Sequence, residues 1–228
     1  MYARHKLVWL TAAGWDAARA SLSGAADDDI QNAALARWRA AGWPLVARRR
    51  DADAATDEVC LGLALPPDAA TGHKLRIALR APAAGVAKTA PPLALGEALS
   101  LLAGSTALAG WRTALGALRE SSTGLDLRVY GSLALQALTG LPYLRDASDI
   151  DLLLQPRSDR QLRSGLALLE RYAGVLPLDG EIIFPRGEAV AWKEWVAARD
   201  GGARVLVKDA DTVRLTAPEL LAATLESL

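Results

Sequence analysis

The sequence predicts two α/β-type units: a small α+β domain over residues 1–90, then an α/β catalytic-type domain over residues 91–228. Three observations predict it. Short β-type runs dominate the first 80 residues, around one clear helix. Residues 81–92, "APAAGVAKTAPP", are rich in Pro, Ala and Gly without periodicity, and read as a linker. Beyond them, apolar strands alternate with segments of helical spacing.

The elements follow in order. "HKLVWL" (5–10) reads as a short strand and "DDDIQNAALARWRAAG" (27–42) as a capped helix closed by Gly42. "PLVARRR", "EVCLGLAL" and "KLRIALR" read as strands separated by polar or Pro/Gly-bearing turns. "LGEALSLL" and "STALAGWRTALGALRES" have helical spacing. Strand "LDLRVYGS", helix "LALQALTG", strand "DIDLLLQP" and helix "SDRQLRSGLALLERYAG" come next. Two strand-like runs, "DGEIIF" and "ARVLVKD", flank the mixed segment "EAVAWKEWVAARDGG", and "APELLAATLESL" forms a last helix. The sequence contains no internal repeat.

Composition narrows the function. With 228 residues, 51% hydrophobic and 23% charged, the chain is an ordinary globular protein with a sizeable core. Lys+Arg and Asp+Glu balance at 26 each, so no global field recommends nucleic acid or an anionic membrane. Seven tryptophans scattered over both halves suit core and interface better than base stacking. The amino terminus lacks a signal-type apolar stretch, and no run of about 18 apolar residues exists to span a bilayer. A single cysteine, Cys60, permits no internal disulfide and reads as a core residue. A cytoplasmic location is expected.

The chemistry concentrates between residues 127 and 154. "LRVYGS" is an apolar strand ending at Gly131, where the chain enters a helix directly. Glycine lets the backbone approach a ligand, and the unpaired first amides of the helix, with the Ser132 hydroxyl, can hold phosphate. Seventeen residues after Ser132 comes Asp149, in "SDIDLLL". In a strand, Asp149 and Asp151 project to one side while Ile150 and Leu152 turn to the core. Two carboxylates so close repel unless a cation lies between them, and a hard, oxygen-loving divalent ion such as Mg²⁺ answers that need. A helix N-cap serine and two solvated turn aspartates are the bland alternative for each feature alone. The ordered combination favours phosphoryl or nucleotidyl transfer with Mg²⁺ as cofactor.

"GSLALQALTGLPYLRDASDIDLLL" resembles the GS…DxD signature of the polymerase-β-type nucleotidyltransferase superfamily. The longer strings "GLPYLRDASDIDLL" and "DGEIIFPRGEAVAWKEW", with "HKLVWL", "WPLVARRR" and "VLVKDADTVRLTAP", are similar to a narrower group. That group is the phosphoribosyl-dephospho-CoA transferases, or holo-acyl-carrier-protein synthases, of bacterial malonate decarboxylase. The resemblance covers most of the chain. It implies a polymerase-β-type catalytic domain with a mixed sheet behind an accessory amino-terminal domain. It also implies a triphosphoribosyl-dephospho-CoA donor, a serine acceptor on the malonate decarboxylase acyl carrier protein, and pyrophosphate as the leaving group. No nucleic acid or membrane partner is implied.

The superfamily places a third acid on a neighbouring strand. "LDGEIIFP" offers Asp179 and Glu181, two apart; Glu181 lies closer to the apolar run and is expected to take the role, with Asp179 the alternative. Lys193 and Lys208, two of only five lysines against 21 arginines, could grip a triphosphate as point charges. Arg145, in the spacer before DxD, could reach phosphate from a flexible loop. The "RRR" at 48–50 is either a phosphate patch or, more simply, a solvated strand end. Two rivals remain at this point: a nucleotidyltransferase that adenylylates a protein or small molecule, and a non-catalytic nucleotide-binding module.

Overall fold

The computed structural model describes residues 2–22, 29–199 and 202–225. The chain divides into two compact units, Met1–Pro92 and Leu93–Leu228. No helix among the described residues is long and apolar enough to cross a membrane.

The first unit contains β1 (Leu7–Leu10), α1 (Ala12–Ala20), α2 (Asp29–Ala41), β2 (Leu45–Ala47), β3 (Glu58–Ala64), β4 (Arg76–Pro82) and β5 (Val86–Ala90). The strands form an antiparallel sheet in the order β4-β3-β2-β1-β5. Helix α1, not predicted from the sequence, is started by Thr11, whose hydroxyl accepts from the Gly14 N–H. The expected beginning of α2 at residues 27–28 lies outside the described residues. Trp38 on α2 is fully buried, with its indole N–H satisfied by the Pro44 carbonyl at 3.2 Å.

The expected linker is a correction. Residues 81–90 belong to the first sheet: β4 runs to Pro82, a 3-10 turn spans Ala83–Gly85, and β5 pairs with β1 along Leu7↔Ala90, Val8↔Thr89 and Trp9↔Lys88. The segment carries no apolar periodicity because β5 is an edge strand held by backbone hydrogen bonds rather than by a buried face.

In the arginine run at 48–50, Arg49 is exposed, as expected of a solvated strand end, while Arg48 and Arg50 are engaged within the unit. Arg48 makes a fork to both carboxylate oxygens of Asp51, with Nη2–Oδ2 at 2.6 Å, and its Nε donates to the Leu61 carbonyl. Arg80, on the neighbouring hairpin strand, reaches Asp51 Oδ2 at 2.9 Å and Asp53. Arg50 donates to the carbonyls of Ala54 and Glu58. These groups tie the 48–58 turn to the β3–β4 hairpin.

The second unit contains α3 (Leu95–Leu101), α4 (Arg112–Ser121), β6 (Leu127–Val129), α5 (Gly131–Thr139), β7 (Ile150–Leu154), α6 (Asp159–Tyr172), β8 (Leu178–Ile183), β9 (Ala189–Ala191), α7 (Trp192–Ala198), β10 (Val205–Lys208), β11 (Val213–Thr216) and α8 (Pro218–Ala222). Its sheet, in the order β11-β10-β9-β8-β7-β6, is mixed: β7 and β8 are parallel and every other pair is antiparallel. A parallel pair needs a long crossover, and α6 supplies it. Ser158 caps α6 by accepting from the Gln161 N–H, and Leu162, Leu166 and Leu169 line its buried stripe. They join Ile150, Leu152, Leu154, Leu178, Ile182 and Val190 in one core. The predicted mixed segment resolves into β9 and α7, and "VLVKDADTVRLTAP" becomes the β10–β11 hairpin. The last three residues of the expected terminal helix lie outside the described residues.

The Asp51 cluster has a pH signature. The Arg48 fork, and then Arg80, hold its carboxyl well below the ordinary carboxylate range, against the opposing effect of burial. A carboxyl depressed on folding stabilises fully above about pH 4 and progressively less as pH falls toward its lowered value. Asp51→Asn is expected to cost about 1–3 kcal/mol near neutrality. In thermal unfolding from pH 7 to pH 3, the gap between wild type and variant should narrow only below about pH 4; a gap that widens on acidification would reject this account.

Candidate functional site

The site begins where β6 hands over to α5. Tyr130 is extended and its N–H donates to the Asp151 carbonyl at 3.1 Å, which fixes the helix start against β7. Gly131 has φ +62°, and a Cβ placed on it would lie 1.9 Å from Asp151 Oδ2. Only glycine permits so close an approach, so the opening turn of α5 rests directly on the Asp151 carboxylate. That turn carries no acidic residue. The first amides of a helix have no intrahelical acceptors, and such a terminus suits negative charge. Ser132 is buried at the second position of the helix.

On the other side of β7, the parallel pairing runs Ile150↔Leu178, Asp151↔Asp179, Leu152↔Gly180 and Leu153↔Glu181. Paired residues share a face, so Asp151 and Asp179 stand side by side, one strand spacing of about 4.8 Å apart at the backbone. Gly180 makes this possible. At φ +136°, a Cβ there would fall 1.9 Å from the Leu152 carbonyl oxygen. Asp149, exposed and one residue ahead of β7, lies on the Asp151 side by strand alternation.

Two lysines face these acids. Lys193 Nζ, at the start of α7, is 3.5 Å from Asp179 Oδ1. Lys208 Nζ, at the end of β10, is 3.4 Å from Glu181 Oε1. The expected third acid, Glu181, stands one row further along β8, opposite Leu153, and its alternative Asp179 is in register with Asp151; each is paired with a lysine. Arg145 is exposed in the segment before β7, where its backbone N–H donates to Ser148 Oγ.

Among the described residues, no three His, Cys, Asp or Glu side chains stand together as a ready-made metal cage. Two carboxylates held in register beside a helix start suit Mg²⁺ on its usual terms. That ion binds through one or two carboxylates and completes its shell with water and substrate phosphate. The donor set is all oxygen and hard, so these residues fit Mg²⁺.

Sequence reasoning missed Gln136. It is buried on α5, and its Oε1 accepts from the N–H groups of Tyr143 (2.9 Å) and Leu144 (2.8 Å) while its Nε2 donates to Ser105 Oγ. This amide pins the chain that leads from α5 to the aspartates. The signal was a lone polar residue on the apolar helix "LALQAL".

Family models match both units: that of the phosphoribosyl-dephospho-CoA transferase MdcG N-terminal domain over residues 3–92, and that of its C-terminal domain over residues 97–219. The chain is similar to a phosphoribosyl-dephospho-CoA transferase of Xanthomonas campestris pv. campestris, with 41% identity over 94% of each chain. A second, from Bradyrhizobium diazoefficiens, is 39% identical over 93% of this chain and 88% of the relative. A third, from Azotobacter vinelandii, is 34% identical over 82% and 86%. No solved structure matches the chain.

Gly131→Ala tests the contact between α5 and β7. The added methyl must displace the Asp151 carboxylate or the helix start, and a shift of about 1 Å at a reacting centre can cost about 100-fold in rate. Turnover is therefore expected to fall by about that factor while far-UV circular dichroism stays native. Wild-type activity in this variant would remove Asp151 from the site.

Proposed function

Because the chain belongs to the phosphoribosyl-dephospho-CoA transferase family, we propose that it modifies the acyl carrier protein of malonate decarboxylase. The group transferred is 2'-(5''-phosphoribosyl)-3'-dephospho-CoA, taken from its triphosphoribosyl precursor. The carrier serine oxygen forms a bond to the phosphorus nearest the ribose, the bond from that phosphorus to the β-phosphate oxygen breaks, and pyrophosphate leaves. One observation carries this reading: the start of α5 packed on Asp151, with Asp179 in register beside it. It joins an anion-binding helix terminus to paired hard carboxylates, as a polymerase-β-type nucleotidyltransferase site requires.

In this reading Asp149, Asp151 and Asp179 hold Mg²⁺, and Asp179 takes the third-acid role in place of Glu181 because register sets it beside Asp151. Bound there, the ion supplies charge neutralisation and Lewis acidity at the attacked phosphorus. The amides opening α5, with the Ser132 hydroxyl, hold the leaving pyrophosphate. A carboxylate of the site, or water, takes the serine proton. Lys193 and Arg145 add cationic contacts to the donor from the site's rim. A CoA-derived donor and a carrier-protein acceptor support a cytoplasmic reaction, and the single, unbridged Cys60 is compatible with it.

The experiment is transfer of radiolabelled donor to purified carrier, with its serine intact or changed to alanine, beside an arm with labelled ATP. Label is expected on the serine carrier alone, with one pyrophosphate released per transfer. Asp151→Asn should lower transfer by orders of magnitude, and Asp179→Asn should cost more than Glu181→Gln. Docking of an acidic carrier is steered by charge, so its KM should rise with ionic strength. Label on the alanine carrier would rule out the acceptor, and label from ATP would turn the assignment to adenylylation.

A further inference from the structure

Glu181 is the one carboxylate of this region that the sheet buries, and its partner is a lysine from two strands away. Its side chain is 6% exposed, while that of Lys208 keeps 39%. The register explains how they meet. Glu181 pairs with Ala191 and Lys208 with Ala189, and the two alanines, two apart on β9, share a face with both. Two methyl groups are all that β9 presents between them, so the lysine side chain lies across β9 and delivers its ammonium to the β8 row.

A carboxylate buried to 6% exposure carries a desolvation cost that one half-exposed lysine offsets only in part, and an apolar residue of similar size would serve the fold as well or better. Stability is thus a poor reason for a carboxylate at this position. Its geometric effect is specific: it holds a half-exposed ammonium over β8, the strand that pairs with β7. Glu181 and Asp151 are diagonal neighbours on adjacent strands, about 8 Å apart at the backbone by strand spacing and rise. A polyphosphate that begins at the α5 amides beside Asp151 can bridge that interval.

We propose that Lys208 is a polyphosphate-binding cation held in place by Glu181, which is a positioning residue and not a metal ligand. The inference rests on the transferase reading above for the identity of the polyphosphate, the triphosphate of the donor. The lysine contributes as a compact point charge, and its aim depends on Glu181 because its four-carbon stem has no rigidity of its own.

The test measures binding of Mg²⁺-tripolyphosphate by calorimetry and steady-state kinetics with the donor, in wild type, Lys208→Met, Lys208→Arg, Glu181→Gln and the double variant Glu181→Gln/Lys208→Met. Lys208→Met is expected to weaken tripolyphosphate and raise the donor KM about 10- to 100-fold, the range of a charge-assisted hydrogen bond, with kcat changed far less. Lys208→Arg should recover part of the loss. Glu181→Gln should move the same two constants in the same direction and leave Mn²⁺ binding intact. The double variant, which removes both charges and so controls for folding, should bind no worse than Lys208→Met alone. Loss of Mn²⁺ binding in Glu181→Gln would make it a metal ligand and overturn the proposal. Unchanged tripolyphosphate binding in Lys208→Met, with only a lower melting temperature, would reduce the pair to a structural one and also overturn it. Failure of the wild type to use the donor, with tripolyphosphate binding still following the variants as expected, would sink the transferase reading and leave the pair standing.

Discussion

Two missing Cβ atoms set the distance on which the candidate site depends. At Gly131 a side chain would strike the Asp151 carboxylate, and at Gly180 it would strike the Leu152 carbonyl. Without them, α5 closes on β7 from one side and β8 from the other. The two contacts act on one strand, so they set the position of one carboxylate relative to both a helix terminus and a second acid. Close-packed interiors transmit sub-ångström shifts rather than absorbing them. Backbone contact is therefore a firmer way to fix this geometry than flexible side chains would be.

The opposite economy governs the arginines of the first unit. Net neutrality suggests an unremarkable surface, but the Arg48, Asp51, Arg80 and Asp53 network and the Arg50 contacts to carbonyls engage cations that a count of charges treats as available. In the second unit two of the chain's five lysines lie against acids of the sheet. Arginine forks serve as staples and lysines as movable point charges, as their chemistry suits them.

Much of this was legible from pattern alone. The alternation of β-type and helical spacing from Leu95 onward reports real elements, because buried stripes and pleats impose it. "GS" and "DID" were readable as neighbours in space for the same reason: their position between apolar runs is part of the signal, and the start of α5 does pack on Asp151. What escaped was held by backbone or by register. β5 is an edge strand with no apolar face to betray it, and α1 is a short Ala-rich segment. The register that sets Asp179, and not Glu181, opposite Asp151 escaped as well, because parallel register is set by a crossover helix that no local pattern encodes.

The contact of Gln136 with the amides of Tyr143 and Leu144 bears on the thermodynamics of ligand capture. The segment from α5 to β7 has no regular secondary structure, yet its middle is fastened to a buried side chain of the helix that opens the site. A loop that orders only when ligand arrives subtracts the entropy of ordering from its affinity. Here a share of that entropy was surrendered during folding. The approach to the aspartates is thus ordered before any ligand arrives.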